Sequence, residues 1–192
     1  MGFTENSRRD IEDYLKKNLK EMRLQHTYAV AEEAEKLARR YGEDMERARL
    51  AALFHDMFRG VSPAALNLYI KHLGLPERYK DNPNLAHGKI AARIMERDYG
   101  ITDRDVINAV AYHTTGRAGM SKLEKILFLA DAIEPGRCYP TVEETRAIAY
   151  EDLDRACISS LERTIEYIRG RGDYLDPDTI EARDDLKEKL NL

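Results

Sequence analysis

The stretch Leu50 to Gly60, LAALFHDMFRG, is the part of the chain whose reading decides the fold. It sets His55 beside Asp56 at the end of a helical run in which Ala48, Ala51 and Ala52 precede His55 by seven, four and three residues. Those offsets put all four on one helix face, where small side chains let another helix come close. Successive residues on an α-helix point about 100° apart, so His55 and Asp56 straddle an edge from which they can hold one ion between them. A lone His-Asp pair is more often a hydrogen-bonded core histidine followed by a helix-end carboxylate, so its company decides the reading.

Outward from this stretch the apolar periodicity is helical in both directions, and no strand signal appears. A helix from Arg23 to Tyr41 carries the stripe Val30, Ala34, Leu37, Ala38 and Tyr41, extended by His26 and stopped by Gly42. Before it, Ile11, Tyr14, Leu15, Leu19 and Met22 space a helix from Asn6 to Met22, capped by Asn6 or Ser7. Asp44 caps the helix that carries both His55 and Asp56, and Gly60 ends it. Ser62-Pro63 opens a helix through Leu66, Tyr69, Ile70 and Leu73 to Gly74, with His72 off the stripe and solvated. Pro76 to Pro83 reads as a loop with a turn of helix.

A helix from Asn84 to Tyr99 aligns His87 with Ile90, Ala91, Ile94 and Met95, and Gly100 marks its end. Thr102 caps the next, whose Val106, Ala109 and Val110 lead to His113, Thr114 and the loop TTGRAGM with Arg117. Ser121 and Glu124 form a capping box for a helix through Leu123, Ile126, Leu127, Phe128, Ala130 and Ile133, which encloses Asp131 and is halted by Pro135. Helices near Val142 to Ala149, from Asp152 to Arg169, and after Asp176-Pro177 complete an all-α chain of stacked helices.

The 192 residues suit one domain, 1–192, able to bury a substantial core. With 34% charged residues and a net charge of −4, nothing draws the whole chain to a nucleic acid polymer or an anionic membrane. Two cysteines, Cys138 and Cys157, lack metal-type spacing, and neither a secretory segment nor an apolar run of membrane length is present, which reads as cytoplasmic and reduced.

His26, His55, His87 and His113 each lie in or at the end of an apolar stripe, each on a different helix, so all four point inward. An ionised Asp131 among Leu127, Phe128 and Ala130 is costly to bury without a cation. One metal or phosphate centre would satisfy the whole set.

The order of a lone His26, then His55-Asp56, then a distant Asp131 resembles the HD-domain metal-dependent phosphohydrolases. Within them the chain looks most like the YqeK family, symmetrical bis(5'-nucleosyl)-tetraphosphatases. The motifs are QHTYAVA at Gln25 to Ala31, LFHDMFRG at Leu53 to Gly60, LAHGKIAA at Leu85 to Ala92, AYHTTGR at Ala111 to Arg117 and FLADAIEPGR at Phe128 to Arg137. They span about residues 23–150, and Arg59 stands where many relatives are expected to carry Lys. The resemblance implies a helical bundle with a central metal cleft, in which His26, His55, Asp56 and Asp131 are the catalytic metal ligands. It also implies hydrolysis of diadenosine tetraphosphate to two nucleoside diphosphates, and a homodimer is compatible with it.

Mixed imidazole and carboxylate donors suit a divalent transition metal, iron first, with manganese or zinc as alternatives. His87 and His113 bind either a second metal or phosphate, and Arg59, Thr114, Arg117 and Arg137 are the further phosphate-binding candidates. Two rival functions remain. One is another HD-type nucleotidase or alarmone hydrolase on the same metal, and the other a regulator that binds metal and nucleotide without turnover.

Overall fold

The stripes and caps build ten α-helices among the described residues of this computed structural model, 5–192, with side chains described from residue 9. They are α1 (Glu5–Asn18), α2 (Glu21–Tyr41), α3 (Met45–His55), α4 (Pro63–Leu73), α5 (Pro83–Asp98), α6 (Arg104–Tyr112), α7 (Lys122–Ile133), α8 (Val142–Glu151), α9 (Leu153–Arg171) and α10 (Pro177–Leu190). A single 3-10 turn, Glu77–Tyr79, sits in the loop before α5, and no strand occurs among the described residues.

Most boundaries follow the caps. Asp44 accepts hydrogen bonds from the Glu46 and Arg47 amides, Ser62 from Ala65 and Ser121 from Glu124, while Gly42 and Gly74 close α2 and α4 in the left-handed region. Five expectations need correction. Lys20 is extended and separates α1 from α2, so Met22 belongs to α2 and is 85% exposed. Asn6 and Ser7 fall inside the first turn of α1 instead of ahead of it, and their side chains lie outside those described. The central helix ends at His55 and does not run to Gly60; Asp56 is its C-cap, with φ −106° and ψ 13°. The cap of α6 is Asp103, not Thr102, because the Asp103 carboxylate both accepts from the Asp105 and Val106 amides and is gripped by Arg47 of α3. The capping box at Ser121 is half formed, since the Glu124 carboxylate turns to Arg117.

Helix α2 lies between α3 and α7, α3 also packs on α5 and α6, and α6 bridges α5 to α7. On the far side α9 rests on α7, flanked by α8 and α10. Val30, Ala34 and Leu37 of α2, Leu53 and Phe54 of α3, Ile90 and Met95 of α5, and Leu123, Ile126 and Leu127 of α7 are fully buried. Ala48, Ala51 and Ala52 are also fully buried, which is what small residues at a close helix contact should show. Gly88 sets the approach of α5 to α6: a Cβ there would come within 2.8 Å of the His113 ring and 2.9 Å of the Val110 carbonyl. The result is that α2, α3, α5, α6 and α7 converge on one buried point, each bringing one or two of the polar residues singled out from the sequence.

Candidate metal centre

Each histidine at that point has its Nδ1 fixed. His55 donates from Nδ1–H to the Ala52 carbonyl at 2.6 Å, His87 to Pro83 at 3.0 Å and His113 to Val110 at 2.8 Å, all in the turn preceding the histidine. Carbonyl oxygens only accept, so in the neutral ring the proton sits on Nδ1 and Nε2 keeps its lone pair. His26 reaches instead to a carboxylate, Glu134 Oε1, at 3.1 Å.

The four Nε2 atoms converge on Asp56 and Asp131. Asp56 Oδ2 lies 3.5 Å from His55 Nε2 and 3.7 Å from His26 Nε2, and Oδ1 lies 3.1 Å from His87 Nε2. Asp131 Oδ1 is 3.1 Å from His26 Nε2, and the Nε2 atoms of His87 and His113 are 3.0 Å apart. His26, His55, His113 and His87 form a row of edge-to-face rings with centroids 5.5, 5.1 and 4.9 Å apart.

These donors fit a metal. His26 Nε2 and His55 Nε2 are buried without a hydrogen-bond partner, an arrangement that costs free energy unless something electrophilic meets the lone pairs. The facing nitrogens of His87 and His113 repel unless a cation, either an added proton or a metal ion, lies between or beside them. Two overlapping sets, His26-His55-Asp56 and Asp56-His87-His113, have ligand atoms within 4.8 Å of one another and share Asp56. Nitrogen and carboxylate donors in that number suit a divalent transition metal.

The HD-domain family model matches residues 23–136, a span that holds every one of these residues. The chain belongs to the HD-domain family. Within it the chain is 37% identical to a Bacillus subtilis (strain 168) protein over 86% of this chain and 89% of that one. It is 40% identical to a Halalkalibacterium halodurans protein over 90% and 92%; both are named bis(5'-nucleosyl)-tetraphosphatase, symmetrical, the YqeK family. A crystal structure of a predicted HD superfamily hydrolase involved in NAD metabolism, from Clostridium acetobutylicum, superposes with a TM-score of 0.90 at 39% identity, covering 98% of this chain and 100% of that one.

In this HD-domain protein the electrostatics are set by burial against a dense ring of partners. Burial would raise the Asp56 carboxyl, but His55, His87 and His113 outweigh it and hold the group well below the usual carboxylate range. Asp131 follows the same direction: burial would raise it, but the His26 ring at 3.1 Å and the Arg137 guanidinium outweigh that and hold it low. Burial pushes His113 down to about 3, so that ring is a neutral donor at physiological pH. A cavity of about 830 Å³ opens beside the cluster, with His26, Glu134, Arg23, Arg59 and Arg137 in its walls.

The structure brings His26, His55, Asp56, His87, His113 and Asp131 together, with the Thr114 hydroxyl 3.1 Å from His113 Nε2. Arg137 grips Asp131 through both its carboxylate and its backbone carbonyl, and Arg59 bonds Asn84 at the cavity wall. Arg117 is not brought there: Nε and Nη2 bind the buried Glu124 carboxylate at 2.8 and 2.6 Å, and the guanidinium lies over Tyr112. Two residues of the site were missed. Arg23 donates to Asp56 Oδ2 at 2.7 Å, and Glu134 holds His26. Arg23 stands three residues before His26 and Glu134 three after Asp131, so helical neighbourhood was the signal that could have found both.

No helix among the described residues is long and apolar enough to cross a membrane.

Proposed function

We propose that the chain is a metal-dependent symmetrical bis(5'-nucleosyl)-tetraphosphatase that hydrolyses diadenosine tetraphosphate to two nucleoside diphosphates. The observation that carries the reading is the pair of buried donor sets sharing Asp56 beside an arginine-walled cavity, and the names of the Bacillus and Halalkalibacterium relatives support it. His26, His55, Asp56 and Asp131 would hold the metal, iron by preference with manganese or zinc as alternatives; His87 and His113 would hold a second ion with Asp56 or, when protonated at Nε2, phosphate. A bound ion of this kind acidifies water and polarises a phosphoryl oxygen.

The chain's own groups do the rest. Arg59 and Arg137, with Arg23 added, neutralise phosphate charge along the cavity, and phosphoryl transfer is catalysed mainly by such positioning and neutralisation. The Thr114 hydroxyl adds a hydrogen bond beside His113. His55, His87 and His113, with their protons held on Nδ1, present only acceptor nitrogens inward. We take residues 1–192 to act as one unit in the cytoplasm.

Cleavage position tests the reading, because attack at an inner phosphorus gives two diphosphates and attack at an outer one gives a monophosphate and a triphosphate. Hydrolysis of diadenosine tetraphosphate in oxygen-18 water should give diphosphate alone, one product of each pair labelled. Monophosphate with triphosphate, or turnover of nucleoside monophosphates only, would overturn the symmetrical mechanism in favour of a nucleotidase.

A further inference from the structure

Three of the four inward histidines are oriented by their own local backbone, and His26 is not. His55, His87 and His113 each donate from Nδ1 to a carbonyl three or four residues earlier, so forming the helical turn also sets the ring. His26 on α2 depends on Glu134, the residue that ends α7, 108 positions later in the chain. Glu134 is 4% exposed, and its carboxylate is held on both sides: Oε1 accepts from His26 Nδ1, and Oε2 from the Gly136 amide. Arg137 Nε lies 3.8 Å from Oε1. Gly136 leaves room for this, since a Cβ there would sit 3.0 and 3.1 Å from the two carboxylate oxygens.

We propose that Glu134, seated by Gly136, is the positioning residue that orients the His26 ring and accepts its Nδ1 proton when a cation meets Nε2 between Asp56 and Asp131. Asp131 Oδ1 faces Nε2 at the same 3.1 Å, so it is a cation at Nε2 that leaves the proton on Nδ1, where Glu134 accepts it and its charge makes the imidazole a stronger donor than a backbone carbonyl would. The segment Glu134 to Arg137 thereby serves two ligand positions at once. Glu134 orients His26, while Arg137 holds Asp131. The inference rests on the metal-site reading for its purpose but not for its geometry.

The test uses the full-length chain. Zinc binding measured by chelator competition reads the ligand position without substrate. Glu134→Ala should weaken it by about 10–100-fold. Glu134→Gln, whose amide oxygen still accepts from Nδ1–H, should restore most of that affinity. Gly136→Ala, which crowds the carboxylate without removing it, should lower affinity several-fold and stands in if Glu134→Ala does not fold. A folded Glu134→Ala, or failing that Gly136→Ala, with wild-type affinity overturns the proposal, as does a Glu134→Gln that binds no better than Glu134→Ala. Because metal affinity is read without substrate, that failure is separable from a failure of the tetraphosphatase reading.

Discussion

Asp56 is in contact with three imidazoles and a guanidinium: His55, His26 and His87 within 3.7 Å and Arg23 at 2.7 Å. It is the one residue common to both donor sets. Its removal should therefore empty the whole centre, whereas a change at an outer partner weakens it. Asp56→Ala is expected to lose stoichiometric metal and to lose activity by more than the roughly 10–100-fold typical of outer-shell changes, with the helical circular dichroism retained. His72→Ala is the matching control. His72 is exposed, off the apolar stripe of α4, and bonded only to the Leu68 carbonyl of its own helix. Metal content and turnover should match wild type; a loss comparable to Asp56→Ala would mean that the α4 phase is misassigned. Single side chains were legible in the sequence where their helix phase carried the information, as for His26, His55, His87, His113 and Asp131. Arg23 and Glu134 were missed because a charged residue one turn away reads as surface until its partner across the fold is known.

At the scale of elements, α6 brings His113 to the centre, and its position on α3 depends on Asp103. That residue caps α6 and takes two bonds from Arg47, at 2.8 and 3.0 Å. The Arg47 hydrogen bonds, followed by the capping amides, hold the Asp103 carboxyl below its usual range. A depressed folded pKa contributes stability that is present above the unfolded value of about 3.9 and is lost as pH falls through the folded value. Asn caps a helix about as well as Asp, so Asp103→Asn removes the charge while keeping the cap. The urea midpoint of wild type should exceed that of Asp103→Asn at neutral pH, and the gap should close as the solution is acidified below about pH 4. A gap unchanged down to pH of about 2 would show that the ion pair contributes nothing. Thr102 reads as the cap from sequence because threonine caps well in isolation, and only Arg47, 56 positions from Asp103, shows that Asp103 takes that place.

On the scale of the whole molecule, five helices meet at the centre, and their inward donors are mutually repulsive or unpartnered without a cation. Metal binding should therefore be coupled to global stability. An ion at about a thousandfold excess over its Kd contributes roughly 4 kcal/mol, which for a chain of this size raises Tm by about 8–16 °C. Thermal melts with chelator and with added iron or manganese should differ by that order, and the difference should grow with ion concentration. Equal melts in protein shown to hold stoichiometric metal would contradict the coupling. What the sequence by itself determined was the all-α class, most helix ends and the inward set of four histidines and two aspartates, because periodicity, caps and helix phase are local and leave their mark within a few residues. What only the tertiary structure decided was which of these meet. The sharing of Asp56 by two donor sets, the diversion of Arg117 to Glu124 and the hold of Glu134 on His26 all arise from distances between helices, which α2, α3, α5, α6 and α7 set only when packed together.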